Sequence, residues 1–197
     1  MRYRDENKMQ AVKEKAVEMV AIEGLENFSI NRLAKTAGVS PATIYIYHKD
    51  KDDLIKSVSV EEISRMLDFI FRDFKATMKF REGMWVQWRN RADYTLQNRL
   101  SSIFFEKIRF STYAGEMMAL IRGEMNERMH TFVQGAIDRG EIAPLSVEAF
   151  WSIGFSPLYT LLRFHHEGKN IAGQKFVFSD KVMKETFDLA MKGILLK

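Results

Sequence analysis

The sequence predicts an all-α protein, and three observations carry that expectation. Apolar residues recur at helical spacing along nearly the whole chain. Three prolines and eleven glycines punctuate 197 residues, too few breakers for a fold of many short strands. No run alternates polar and apolar residues long enough to make a strand; Lys175–Ser179 comes nearest and is too short.

The elements follow in order. Met9, Val12, Ala16, Met19 and Val20 form one stripe, ended at Gly24. Ser29 caps a short second helix through about Thr36. Ala37-Gly38-Val39 reads as a tight turn in which Gly38 is free to take positive φ. Ser40-Pro41 starts a third helix, a serine N-cap followed by proline at the first helical position, and that helix ends near His48. Asp50 caps a fourth, with Asp53 in its first turn, where negative charge suits the helix dipole. The stripe Leu54, Ile55, Val58, Ile63, Met66, Leu67, Ile70 and Phe74 places this helix over about 50–78. Further helices fall at roughly 84–100, 102–111 and 114–139, followed by a break at Gly140–Pro144. Ser146 caps a helix to about His166; Pro157 inside it is expected to kink it and to leave the carbonyl around Ile153 unpaired. After a loop rich in Gly, Lys and Asn, Ser179 caps a last helix to Leu196, which makes about nine helices in all.

Composition narrows the class. Hydrophobic content of 46% and charged content of 28% are those of an ordinary globular protein. The absence of cysteine excludes disulfides, thiolate zinc sites and cysteine nucleophiles. The charged N-terminus has no apolar stretch behind it, and the longest uncharged run, Ala149–Leu162, is too short to span a bilayer. A soluble cytoplasmic protein without a membrane partner is expected. There is no glycine-rich phosphate loop, no Gly-x-Ser-x-Gly and no His-Glu-x-x-His. His165 and His166 are adjacent and poorly placed to share one metal, so no catalytic residue, metal or cofactor is expected. The net charge is +4, and its distribution says more than its sum. From Asn27 to Lys49 there is no acidic residue, while Arg32, Lys35 and Lys49 are all basic. Such a gap suits a surface that faces phosphates, because a carboxylate there would repel them.

Two short helices joined by a glycine turn have the helix-turn-helix pattern, in which the second helix enters the major groove of DNA. The residues at this point are Gly24, Ser29, Leu33-Ala34, Ala37-Gly38-Val39-Ser40, Ala42-Thr43, Tyr45-Ile46-Tyr47-His48 and Lys51-Asp52-Asp53-Leu54. In order and spacing they resemble the N-terminal pattern of the TetR family of transcriptional regulators. The resemblance implies a three-helix DNA-binding domain over residues 1–50, with helix 4 as the link. Residues 51–197 would then form a helical bundle that binds an effector and dimerises.

The candidate DNA-binding residues are Ser29, Arg32, Lys35, Ser40, Pro41, Ala42, Thr43, Tyr45, Ile46, Tyr47, His48 and Lys51. Tyr45 and Tyr47 are neutral donors able to hold phosphate, and Lys51 resembles the family's phosphate lysine. Ser29 and Ser40 suit phosphate or simple capping alike. Pro41, Ala42 and Ile46 lack a side-chain donor, so base reading would lean on thymine methyls and DNA shape, supplemented by Arg32 or Lys35. Ala42 stands where the family often has glycine, and His48 where phenylalanine is commoner.

Past Ile63 the composition turns to Met, Phe, Trp and Tyr. Trp88, Tyr94, Phe105, Tyr113, Met117, Trp151, Phe155 and Tyr159 suit the lining of an apolar ligand cavity, and they equally suit a solid core. The spacing does not choose between the two. Phe150, Ile153, Leu158, Leu161 and Leu162 on one of the last two helices, and Phe187, Ala190, Met191, Ile194 and Leu195 on the other, exceed what peripheral helices need, and the resemblance places these helices, with Phe150, Leu158, Leu161, Phe187, Met191 and Ile194 foremost, in a homodimer interface. The expected activity is a dimeric repressor on a double-stranded DNA operator, released by a small apolar or aromatic molecule. The rivals are a ligand-independent or activating regulator with a filled core, and a helical carrier without DNA binding.

Overall fold

The computed structural model describes the backbone of residues 2–196 and the side chains of residues 7–196. The protein is all-helical. Among the described residues the α-helical segments are α1 (Arg2–Glu23), α2 (Ile30–Ala37), α3 (Pro41–Tyr47), α4 (Lys51–Ile70), α5 (Phe80–Gln97), α6 (Arg99–Arg109), α7 (Ala114–Glu124), α8 (His130–Asp138), α9 (Val147–Gly154), α10 (Ser156–Glu167) and α11 (Asp180–Ile194). A π-helical turn, Met125–Met129, carries α7 into α8 without a break. Isolated β-bridges join Ile142 to Leu195 and Lys169 to Lys175. No described helix is long and apolar enough to cross a membrane.

The chain folds into two compact units. One holds the residues up to Leu67 together with Asn98–Gly123; the other holds Asp68–Gln97 and Glu124–Lys197. In the first unit α1 packs against α2 and α6, and α2 against α3. Val12, Ala16 and Val20 of α1, Leu33, Ile44, Leu54, Val58, Phe104 and Ile108 are buried there. The 3.6-residue period of each helix aligns these positions on one face.

In the second unit α5, α9, α10 and α11 pack around an aromatic core. Phe80 stacks on Phe132 with centroids 5.4 Å apart, and Phe74 meets the same ring edge-on at 5.0 Å. This contact requires glycine at position 83, where a Cβ would lie 2.5 Å from the Phe132 ring. Phe187 lies edge-on to both Trp85, at 4.9 Å, and Trp88, at 5.2 Å.

Of the helix boundaries that differ from the sequence expectation, two have a cause visible in the packing. Helix α4 stops at Ile70 rather than near 78, although Phe71, Phe74 and Met78 continue its apolar spacing. The cause lies on another helix: Gln87 and Asn90 of α5 donate to the Ile70 carbonyl at 2.8 and 3.1 Å, and Asn90 also donates to the Arg72 carbonyl at 2.7 Å. Buried amides thus take carbonyls that a continuing helix would have used. Asp73 then turns the chain with φ of 59°. The second difference concerns Pro157. It stands at the start of α10 rather than inside one kinked helix, and the break falls at Phe155. The Gly154 carbonyl released there accepts the Trp88 indole N–H at 2.6 Å, so an orphan acceptor becomes a buried hydrogen bond.

Candidate nucleic-acid interface

Helix α2 ends because Gly38 takes the left-handed conformation (φ 69°, ψ 30°), and its N–H returns to Ala34 and Lys35 carbonyls. Ser40 then caps α3: its Oγ accepts the Thr43 N–H at 3.2 Å and lies 2.9 Å from Thr43 Oγ1. With Pro41 preset for the first turn, α3 starts at a fixed point. Ile44 is its buried pin, and α3 packs against α2. Pinning that one side turns the opposite side outward. Tyr45, Ile46 and Tyr47 are exposed, Ile46 by 76%, and Ala42 is exposed beside them. Pro41 and Thr43 are half-buried at the edge of this face.

The surrounding candidates divide. Lys35 is exposed in the last turn of α2. Ser29 flanks the start of α2 in extended conformation, and its side chain makes no capping hydrogen bond. Arg32 is exposed but engaged: its guanidinium pairs with Glu23 at 2.5 Å and donates to the Asn27 carbonyl at 3.1 Å. Lys51 donates to the Leu25 carbonyl at 3.2 Å and lies 5.7 Å from the Phe28 ring centroid, tying the start of α4 to the end of α1. His48 stands apart from the other candidates. Its side chain is only 7% exposed, with Nδ1 turned 3.5 Å from Asp53, so it closes α3 from inside instead of joining the outer face. Asp50 caps α4, accepting the Asp53 N–H at 2.9 Å, and Asp53 in turn accepts the Lys49 N–H just before the helix at 3.1 Å.

The residues proposed for a ligand cavity fall in both units. Phe105, Tyr113 and Met117 belong to the first unit, and Trp88, Tyr94, Trp151, Phe155 and Tyr159 to the second. Tyr113 donates from its hydroxyl to Asp52 at 2.8 Å, which places it at the N-terminus of α4. Partial burial, and then the hydrogen bond and charge of Asp52, push its phenol above the ordinary range. Met117, Trp88, Tyr94 and Phe155 are buried; Trp151 and Tyr159 are partly exposed and stacked, with centroids 6.0 Å apart.

The residues proposed for a dimer interface, Phe150, Leu158, Leu161, Phe187, Met191 and Ile194, are largely buried within the single chain. They help to close the second unit, as the packing of Phe187 on Trp85 and Trp88 shows. Exposed apolar residues of the same helices include Val147 and Ile153 on α9 and Leu189 on α11.

One group escaped sequence reasoning: the buried polar side chains Gln87, Asn90 and Arg91 of α5. A signal was present. Gln87, Arg91 and Tyr94 lie at helical spacing from Phe80 and Met84, which puts polar groups in an apolar stripe.

Comparison with known proteins agrees with this arrangement. A family model described as "Bacterial regulatory proteins, tetR family" matches residues 14–65. An HTH-type transcriptional regulator of Haemophilus influenzae is 36% identical over 72 residues, which are 36% of this chain and 38% of that protein. A fatty acid metabolism regulator protein of Bacillus subtilis is 32% identical over 69 residues, 35% of this chain and 36% of its own length. The aligned part thus spans little more than a third of these two curated relatives. A crystal structure of a TetR family transcription regulator from Marinobacter aquaeolei superposes with a TM-score of 0.85 at 26% identity, covering 100% of both chains. A TetR-family regulator from Haemophilus influenzae superposes at 0.76, with 20% identity, over 96% of this chain and 97% of that one.

Proposed function

This chain belongs to the TetR family of bacterial regulatory proteins, and from that premise we propose that it is a DNA-binding transcriptional repressor. The observation that carries the reading is the outer face of α3. Tyr45, Ile46 and Tyr47 stand exposed on a short helix whose opposite side is pinned by Ile44, on a stretch free of acidic residues. A large aliphatic side chain held in water at such a point suits contact with thymine methyls in a major groove, and the flanking phenols suit phosphate. The protein acts by binding, not by catalysis.

A second copy would bring two such helices to a near-palindromic operator, with half-sites about one or two helical turns apart. An apolar or aromatic molecule bound by the later helices would lower operator affinity by preferring the conformation that does not bind DNA. The support for that part is the aromatic content of the second unit and the family to which the chain belongs. The Bacillus regulator matches over too little of its length to say what this chain senses.

The test is selection of bound duplexes from random and genomic DNA at physiological salt. One motif should be enriched, with affinity falling steeply as salt rises because phosphate contacts release counterions. Absence of any preferred duplex would end the DNA-binding reading.

A further inference from the structure

The second unit buries a cation without a counter-charge. Arg91, midway along α5, is 4% exposed. Its Nη1 donates to the Tyr159 hydroxyl at 3.0 Å and its Nη2 to Gln87 Oε1 at 3.1 Å, both neutral acceptors. Its Nε is buried and has no hydrogen-bond partner. The ion pairs among the described residues leave it out: Asp93, two positions along, is bridged to Arg72 at 3.2 Å. The rest of its surroundings are aromatic faces, with the Phe155 centroid 4.5 Å and the Trp151 centroid 5.8 Å from the guanidinium carbon. A guanidinium stays charged when buried, and burial without a carboxylate is unfavourable. Hydrogen bonds to an amide and a phenol, with two ring faces, offset only part of that cost.

We infer that Arg91 anchors the anionic head of the effector, which is a small organic carboxylate with an apolar body. The inference rests on reading the second unit as effector-binding and adds the chemical class of what it binds. Nε and Nη2 form one edge of the guanidinium, on which Nε has no partner and Nη2 holds only the neutral Gln87 amide; a carboxylate takes such an edge with two parallel hydrogen bonds. The apolar body then lies against Trp151, Phe155 and Tyr159. Trp151 and Tyr159, stacked and exposed by 37% and 36%, form the outer layer, so Arg91 lies one side chain beneath the surface. Movement of the Tyr159 phenol, which already holds Nη1, opens the way in.

The experiment uses the full chain without DNA and four probes: benzoate and octanoate, and their neutral amides, benzamide and octanamide. Binding is followed by calorimetry and by tryptophan fluorescence, which Trp151 and Trp88 report. At least one carboxylate should saturate at millimolar concentration, with its amide about tenfold weaker or more, as loss of a charge-assisted hydrogen bond implies. Arg91→Gln should lose carboxylate binding by a similar factor, and Arg91→Lys, which keeps the charge without the two-toothed edge, should retain part of it. Equal binding of acid and amide, undiminished carboxylate binding by Arg91→Gln, or saturation by neither carboxylate would overturn the inference. If Arg91→Gln does not fold, Arg91→Lys decides: it should weaken the carboxylate selectively, and equal affinity overturns the proposal. Failure of both variants to fold would make Arg91 a structural anchor and overturn it as well. Operator binding is measured separately. A chain that binds carboxylates but no operator loses the regulatory reading alone, and one that binds operator but no carboxylate loses this inference alone.

Discussion

At the residue scale, the proposed DNA contact divides the outer face of α3 into positioning and reading. Tyr47 and Ile46 are adjacent and exposed, yet their chemistry assigns them different work. Tyr47→Phe removes one neutral donor and leaves the ring, so binding to every duplex should weaken by about 1 kcal/mol with the preferred sequence unchanged. Ile46→Ala removes apolar contact with base edges, so the preferred sequence should change. Selection profiles of both variants check the division; an unchanged motif for Ile46→Ala would remove that residue from the groove. The outer face was legible in the sequence because Ser40-Pro41 fixes where α3 starts, and the helical period then fixes which side faces out. His48 and Lys51 were less legible. Their partners, the Asp53 carboxylate and the Leu25 carbonyl, come near only once the helices have packed. Tyr113 is the extreme case: its partner Asp52 lies 61 positions away, and no local pattern announces it.

At the element scale, caps and breakers were readable and tertiary terminations were not. Ser40, Ser146 and Ser179 accept the N–H three residues on, as their positions before apolar runs suggested. The end of α4 was misplaced because Gln87 and Asn90, on a later helix, decide it. The break before α10 likewise depends on Trp88. Trp88→Phe keeps most of the ring but leaves the Gly154 carbonyl buried without its donor, at a cost of about 1–3 kcal/mol. A lower denaturation midpoint with an unchanged slope would show this. Glu141 offers a second check. Burial raises the pKa of its carboxyl, but hydrogen bonds from Arg139 and from the Phe80 N–H at the start of α5 outweigh that and hold it below its ordinary value. A group with a lowered folded value stabilises the fold above its unfolded pKa, near 4.3, and that contribution is lost as pH falls through the folded value. Glu141→Gln should therefore melt below the native chain at neutral pH, and the difference should close on acidification. A gap that stays constant down the acid range would assign the effect to packing and not to the charge.

At the scale of the whole molecule, the sequence suggested a dimer through the last helices but did not separate the residues of that seam from those of the core. Amphipathic periodicity finds the apolar side of a helix, but it cannot say whether that side meets its own chain or another. Phe187, Met191 and Ile194 meet their own. A dimer through the same helices must then use what remains outside. Leu189 on α11 is 62% exposed, Gly193 lies one turn further on, and the Ile153 Cγ2 of α9 is 3.7 Å from where a Cβ at Gly193 would stand. This makes one apolar patch across two helices, with a small residue at its centre that lets another backbone approach. Leu189→Asp would bury an unpaired carboxylate in that seam, on the order of 3 kcal/mol or more against association. Because Leu189 is exposed in the single chain, the variant should keep its helical signal and melting behaviour as a monomer. Sedimentation should show the loss of the dimer, and operator affinity should collapse with the α3 face untouched, since two half-sites are no longer held together. Ile194→Asp supplies the contrast: its site is internal, so it should lower the melting temperature first and change assembly only as the fold is lost. A Leu189→Asp protein that remains dimeric at unchanged affinity would move the interface off α9 and α11.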